Sequence, residues 1–344
     1  MSRALNIAIV GCGYWGVNYL RVFSELPDCK VSLVCDTSED RLRTIRERFP
    51  LVSTTNQLSE VFSSRWVDAV VIATPAATHF ELSSQCLAAG KHILVEKPIT
   101  TSIPEAAKLI RDAQQARLVL MVGHTFMYNS GILKIKELMT APDFGQVYYL
   151  HATRTNMGPV RSDVNALWDL GTHDVAIFNF LLDAAPTSVS AVASKVLGKG
   201  REDVGFVSLR YPNNVLANIH ASWIDPNKVR EVVVVGSRRR IVFDDLNNLE
   251  RVRIYEKGMS ATMEADTFGE FRLIVRDGDI ISPRVPPSEP LKNLAMHFLS
   301  CVAGSEPPLS DGRNGLDVVR VMAAIDRSLA QEGAPVDVPP GDLA

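Results

Sequence analysis

The chain has 344 residues, 46% of them hydrophobic, and a net charge of −3. This length and apolar content predict two domains, each with its own core, and the absence of a basic stripe argues against nucleic acid as a partner. The N-terminus enters a strand almost at once and no apolar run reaches membrane length, which predicts a cytoplasmic protein with no membrane partner. The five cysteines (Cys12, Cys29, Cys35, Cys86, Cys301) form no CxxC and read as reduced structural thiols. The histidines, among them His220 and His297, have no metal-ligand spacing, so no metal is expected.

Residues 5–10 are a short apolar run that reads as a buried parallel strand. Gly11-Cys12-Gly13-Tyr14-Trp15-Gly16 follows directly. Gly11 allows a tight turn, Gly13 lets the backbone approach a pyrophosphate, and Gly16 lets the next helix pack on the strand. Residues 14–26 read as that helix, ended by Pro27. Its free N–H groups and positive dipole end favour a diphosphate, with Tyr14 and Trp15 beside it in the first turn. Residues 31–35 read as a second strand delivering Asp36, 20 residues after Gly16. That spacing suits a carboxylate accepting hydrogen bonds from adenosine ribose hydroxyls. A 2′-phosphate would meet like charge there, so NAD is favoured over NADP, although the nearby Arg41 keeps NADP open.

Residues 69–73 read as a buried strand, followed by Thr74-Pro75 and a helix over 77–89 stopped by Gly90. His79, at the start of that helix, either touches the cofactor or closes a turn. The next strand, 92–95, ends in Glu96-Lys97-Pro98. Pro98 restrains Lys97 to an extended backbone. A lysine held near a nicotinamide loses solvent, has its pKa lowered and can exchange a proton with a reacting oxygen; a surface lysine after a strand is equally ordinary. Ser102 with Glu105 predicts a capping box, with Pro104 in the first helical turn. Residues 118–122 read as a further strand. The alternation defines an α/β domain over residues 1–123 with a doubly wound parallel sheet. Ligands of such sheets bind at the carboxyl ends of strands, where Asp36, Thr74, Pro75, Glu96 and Lys97 all fall.

After Gly123 the pattern changes. Helices are predicted over 131–139 and 167–182, with a strand over 147–153 between them. Strands without intervening helices follow at 188–195, 204–211, 215–221, 230–235 and 240–243, with a hairpin turn at Pro212-Asn213-Asn214. Such runs predict an α+β domain over residues 124–344 with an open, mostly antiparallel sheet. Helices return over 291–303 and 315–332, and the Pro-rich tail from Ala334 reads as irregular.

Asp169 and His173 lie four residues apart and project from one face of the long helix. A carboxylate beside an imidazole fixes its tautomer and raises its basicity, which suits acid–base work on an alcohol or ketone. From spacing alone, a pair that merely stabilises the helix is the favoured reading. Tyr128, with His124 and Asn129, follows the last apolar strand and is read as lining a cleft. Arg154, Arg161 and Asn165 precede the Asp/His helix and are candidate substrate contacts, with surface solvation as the alternative. Arg238-Arg239-Arg240 reads as a solvated turn.

Together these residues resemble the glucose-fructose oxidoreductase/inositol dehydrogenase (Gfo/Idh/MocA) family of NAD(P)-dependent enzymes. The matching pieces are the Gly11–Gly16 loop, Ala73-Thr74-Pro75 with His79, Glu96-Lys97-Pro98, and Asp169-x-Gly171-x-His173. The resemblance implies an N-terminal Rossmann domain and a C-terminal substrate-binding and oligomerisation domain, with dimers or tetramers formed through the outer face of its sheet. It also implies that Lys97, Asp169 and His173 carry catalysis. A narrower similarity, in residues 122–126 and 156–169, is to members that oxidise the 3-hydroxyl of nucleotide sugars. Many of those have Ala-Pro before the histidine, where this chain has Gly171-Thr172. The expectation is hydride transfer between a sugar ring carbon, C3 of a nucleotide sugar, and NAD. His173 is read as the base, oriented by Asp169, with Lys97 on the same oxygen; the base role is open between Lys97 and His173. The alternatives are a sugar 3-ketoreductase, a free polyol or inositol dehydrogenase, and a non-catalytic NAD-binding sensor.

Overall fold

The computed structural model describes residues 3–158, 160–161, 164–198, 200–262 and 272–340. The chain divides into two compact units, one running to Tyr128 and adding Ser288–Val319, the other formed by Asn129–Pro287 and Arg320–Gly341.

The first unit alternates strands and helices: β1 (Leu5–Val10), α1 (Tyr14–Ser24), β2 (Cys29–Cys35), α2 (Glu39–Arg48), β3 (Ser53–Thr55), α3 (Leu58–Ser63), β4 (Ala69–Ile72), α4 (His79–Ala88), β5 (His92–Val95), α5 (Ile103–Ala116) and β6 (Leu120–Val122). The strands form a parallel sheet in the order β3-β2-β1-β4-β5-β6. β4 is buried along its whole length, as a strand covered on both faces must be. Its side chains join those of β1, β5 and β6 in one core with Leu109, Ile110, Leu316 and Val319. The strand order reverses between β1 and β4, and a crevice opens at the carboxyl ends of strands at such a switch point. Helix α5 starts where expected but without a capping box. The Thr100 hydroxyl accepts the Ser102 N–H that Glu105 would otherwise take, and donates to the Ser102 carbonyl.

The second unit holds α6 (Ser130–Thr140), β7 (Val147–Met157), α7 (Thr172–Leu182), β8 (Ser188–Ser194), β9 (Val204–Arg210), β10 (Leu216–Ser222), β11 (Ile224–Gly236), β12 (Arg240–Asp244), β13 (Val252–Tyr255), β14 (Gly258–Thr262), β15 (Arg272–Arg276) and β16 (Ile280–Ile281). Helices α8 (Pro290–Val302) and α9 (Gly312–Ala330) and strand β17 (Val336–Asp337) complete the chain. A nine-stranded sheet runs β16-β13-β12-β11-β7-β10-β9-β8-β17, antiparallel except for the β7–β10 pair. Period-2 burial is clear in β9, where Val207 and Leu209 point inward and Phe206, Ser208 and Arg210 outward. On this outer face Tyr149, Val192, Phe206 and Leu216 stay exposed. The tail is more ordered than its prolines predict, since Val336 and Asp337 pair with β8; its last four residues lie outside the described ones. Among the described residues no helix is long and apolar enough to cross a membrane.

Candidate active site

In the first unit, the glycine loop joins β1 to α1. Gly11 has φ +91°, and a Cβ there would sit 2.7 Å from the Ala73 carbonyl oxygen and 2.9 Å from Thr74 Cγ2. The ends of β1 and β4 therefore touch, and only glycine fits between them. A Cβ on Gly16 would lie 1.8 Å from the Gly11 carbonyl oxygen. At Gly13 nothing lies within 4 Å, so this face of the loop is open for a ligand to approach. Gly13 is the N-cap of α1, with no side-chain cap and no acidic residue in the first turn. The first N–H groups of the helix thus point at an anion site. Tyr14 is exposed beside it, edge-on to Trp15 with ring centroids 5.5 Å apart. Buried Asp36 closes the loop from β2, accepting from Cys12 N (2.6 Å) and Ser38 N (2.8 Å), with Arg41 Nη1 at 3.5 Å. Burial, and then the Asp36 charge, push the Cys12 thiol up to about 12, so it is inert at neutral pH.

His79 is buried, with Nδ1 2.7 Å from the Pro98 carbonyl oxygen and Nε2 2.9 Å from that of Thr74. Its ring ties the loop after β4 to the loop after β5, and burial lowers its pKa. Pro75 caps the short turn before α4, and Thr74 Oγ1 meets Thr78 Oγ1 at 2.8 Å. Lys97 is half-buried, joined to Pro98 by a cis peptide bond. Glu96 is buried: its Oε2 accepts from the Lys97 N–H (3.1 Å) and its Oε1 from the Tyr19 hydroxyl (2.6 Å). His124 follows β6, fully enclosed, and among the described residues neither ring nitrogen has a hydrogen-bond partner. Burial, reinforced by the Lys97 charge, lowers its pKa to about 3, which makes it a neutral neighbour of that lysine. Tyr128 sits inside the unit, its hydroxyl on Ser310 Oγ at 2.9 Å and its ring against His297.

In the second unit, residues Leu167–Gly171 form a π-helical turn that runs into α7, where a continuous α-helix is predicted. Single π-turns inside helices concentrate at functional sites. Asn165 holds the entry: its Oδ1 accepts from Trp168 N (2.9 Å) and its Nδ2 donates to Glu202 (3.0 Å). The Asp169 carboxylate receives Arg161 Nη1 on one oxygen (3.2 Å) and Trp223 Nε1 on the other (3.3 Å). His173 lies half-buried in the first turn of α7. The next residue, Asp174, is buried and takes Arg154 Nε (3.0 Å) and Nη2 (2.7 Å). Arg154 thus fixes α7 to β7 instead of offering its fork to solvent. Of the residue 156–169 segment, Pro159, Ser162 and Asp163 lie outside the described residues.

The structure brings Gly11, Gly13, Gly16, Asp36 and Thr74 together at the switch point, and Arg161 onto Asp169. It engages Tyr128, Asn165 and Arg154 in packing. Tyr19, Asp174 and Trp223 escape sequence reading. Asp174 carries a faint signal, an acid on an otherwise apolar helix; Tyr19 and Trp223 read as ordinary core aromatics.

A parallel sheet in this order, with an uncapped helix opening on a glycine turn and a carboxylate ending the second strand, is the arrangement of a dinucleotide-binding domain. The chain belongs to the Gfo/Idh/MocA family: residues 5–124 match its oxidoreductase family, NAD-binding Rossmann fold, and residues 132–242 its C-terminal domain. A UDP-N-acetylglucosamine 3-dehydrogenase of Acidithiobacillus ferrooxidans is 29% identical over 75% of this chain and 76% of its own. A solved structure of such an enzyme from that organism superposes with TM-score 0.82 over 95% of this chain and 98% of the other, at 25% identity. GenD2 from gentamicin A biosynthesis, solved in complex with NAD, gives TM-score 0.82 at 25% identity, covering 99% and 98% of the two chains. A myo-inositol 2-dehydrogenase of Thermotoga maritima is 24% identical over 95% of this chain and 97% of its own. The chain is therefore an NAD-dependent oxidoreductase acting on CH–OH groups.

Proposed function

We propose that the chain oxidises the C3 hydroxyl of a nucleotide sugar. The observation that carries this reading is the match with the UDP-N-acetylglucosamine 3-dehydrogenase across three quarters of both chains, together with Lys97 at the carboxyl end of β5, one strand from the switch point. NAD, when bound, supplies the hydride acceptor. The N–H groups opening α1 hold its diphosphate, with Tyr14 and Trp15 alongside. Asp36 takes the adenosine ribose hydroxyls, and Thr74, Pro75, His79 and Glu96 shape the nicotinamide half. His173, oriented by Asp169, and Lys97 are the acid–base groups assigned to the hydroxyl proton, with the base role open between them. The balance is alcohol plus NAD⁺ to ketone plus NADH and a proton. Arg161, paired with Asp169, is assigned to a phosphate or uronate of the substrate.

A free polyol is the second reading, favoured by the myo-inositol 2-dehydrogenase match. The exposed sheet face bearing Tyr149, Val192, Phe206 and Leu216 is proposed to join copies into a homodimer or homotetramer. Five free cysteines fit a reducing cytoplasm. The test is Lys97→Ala. It should bind NAD with near wild-type affinity and lose at least about a hundredfold in turnover; full turnover in that variant would reject the mechanism.

A further inference from the structure

Tyr19 lies in the middle of α1, the helix that begins at the glycine loop, and is wholly buried. Its ring packs on Phe23, with centroids 6.4 Å apart. Its hydroxyl reaches across to the loop after β5 and donates to Glu96 Oε1 at 2.6 Å. The other oxygen of the same carboxylate accepts the Lys97 backbone N–H at 3.1 Å. One carboxylate therefore spans two elements, the cofactor helix on one side and the lysine loop on the other.

A phenylalanine at position 19 beside an apolar residue at 96 would bury the same volume without hiding polar groups from water. The surrounding chain instead makes room for the polar pair. A Cβ at Gly123 would come 2.9 Å from the Tyr19 hydroxyl and 3.0 Å from Glu96 Oε1. The end of β6 thus goes without a side chain where the phenol and carboxylate meet. Among the groups around Lys97 are Glu96, which accepts its backbone N–H, the Tyr19 phenol on that carboxylate, and neutral His124, whose pKa the Lys97 charge lowers.

We propose that Tyr19 is a positioning residue for Lys97: its phenol anchors the Glu96 carboxylate, which fixes the Lys97 backbone to the helix that receives the cofactor diphosphate. The role rests on the reading of Lys97 as catalytic. Its consequence is mechanical. The diphosphate end of the cofactor and the lysine share one rigid support, so binding at one registers the other.

Competitive acetylation of Lys97 by acetic anhydride, read by peptide mass spectrometry from neutral to alkaline pH, tests this on the full chain with NAD present. Tyr19→Phe keeps the ring and removes the donor. Without that donor the Glu96 carboxylate, ionised throughout this pH range, loses a hydrogen bond that draws off part of its charge, so the field at Lys97 strengthens and the ammonium keeps its proton to higher pH. The labelling midpoint should rise by about half a pH unit, which is about threefold lower reactivity at neutral pH. Phe23→Leu loosens the same helix without touching the tie, and should lower thermal stability while leaving the Lys97 midpoint in place. An unmoved midpoint in Tyr19→Phe, or an equal shift in Phe23→Leu, would overturn the proposal. Lys97→Ala assayed alongside separates the two claims: a shifted midpoint in Tyr19→Phe with full turnover in Lys97→Ala would leave the tie real and remove the catalytic reading.

Discussion

Replacing Asp174 with alanine removes half of an ion pair whose side chains keep only 6% (Arg154) and 1% (Asp174) of their exposure. The remaining guanidinium would stay between β7 and α7, out of reach of water. Truncating one partner of such a buried pair costs about 3–5 kcal/mol, because an uncompensated charge is left behind. At about 2–4 °C per kcal/mol for a unit of this size, the second unit should melt about 10 °C lower. Differential scanning calorimetry of the full chain reads the shift. The double variant Arg154→Met, Asp174→Leu removes both charges and should recover most of the loss, since a well-packed apolar pair substitutes for a buried ion pair at little cost. A fall of under about 3 °C in the single variant, in the range of ordinary surface changes, would refute the reasoning. So would a double variant no more stable than the single. Because Asp174 follows His173 in the first turn of α7, the single variant should also lose turnover while NAD binding in the first unit is kept.

Three further outcomes are expected. Gly13→Ala should fold normally yet bind NAD about tenfold more weakly by calorimetry, whereas Gly16→Ala, with its Cβ 1.8 Å from a carbonyl oxygen, should fail to form the loop at all. Asp36→Ser removes the carboxylate that a 2′-phosphate would meet and leaves Arg41, so the ratio of NADP to NAD use should rise by about tenfold or more in steady-state assays. His124 has a folded pKa of about 3 against 6.5 when unfolded, so the unfolded chain takes up a proton first as pH falls. Its contribution is fully present above about pH 6.5 and declines by about 1.4 kcal/mol per pH unit between there and about pH 3. Urea midpoints of His124→Asn should show a shallower acid slope; an unchanged slope would contradict this assignment.

The parts legible in the sequence are those where a single physical constraint dominates. Strands β1 and β5 stand at the predicted residues because a doubly covered parallel strand must be a nearly continuous apolar run. The glycine loop was legible because each glycine answers a separate steric demand. Helix α2 was not, since only Leu42 and Ile45 of its ten residues are buried and its charged faces mask the period. The return of Ser288–Val319 to the first unit leaves no local trace, because it depends on long-range contacts such as the Ser310 bonds to Val122 and Tyr128. The same limit applies within the candidate site. Arg154 and Asn165 have the residue types of substrate contacts, and only the fold shows that Asp174 and the Trp168 N–H already engage them. Tyr19 carries no such signal, because its partner, Glu96, is 77 residues away in sequence.

The central claim is tested most directly by mixing stoichiometric protein and NAD with UDP-sugars, UDP-uronates, sugar phosphates and free polyols, and following nicotinamide reduction in a single turnover. This format reads the chemistry even if the cofactor never leaves. The account predicts reduction with a UDP-linked sugar, lost in Lys97→Ala. Reduction by a free polyol and by no UDP-sugar would contradict it.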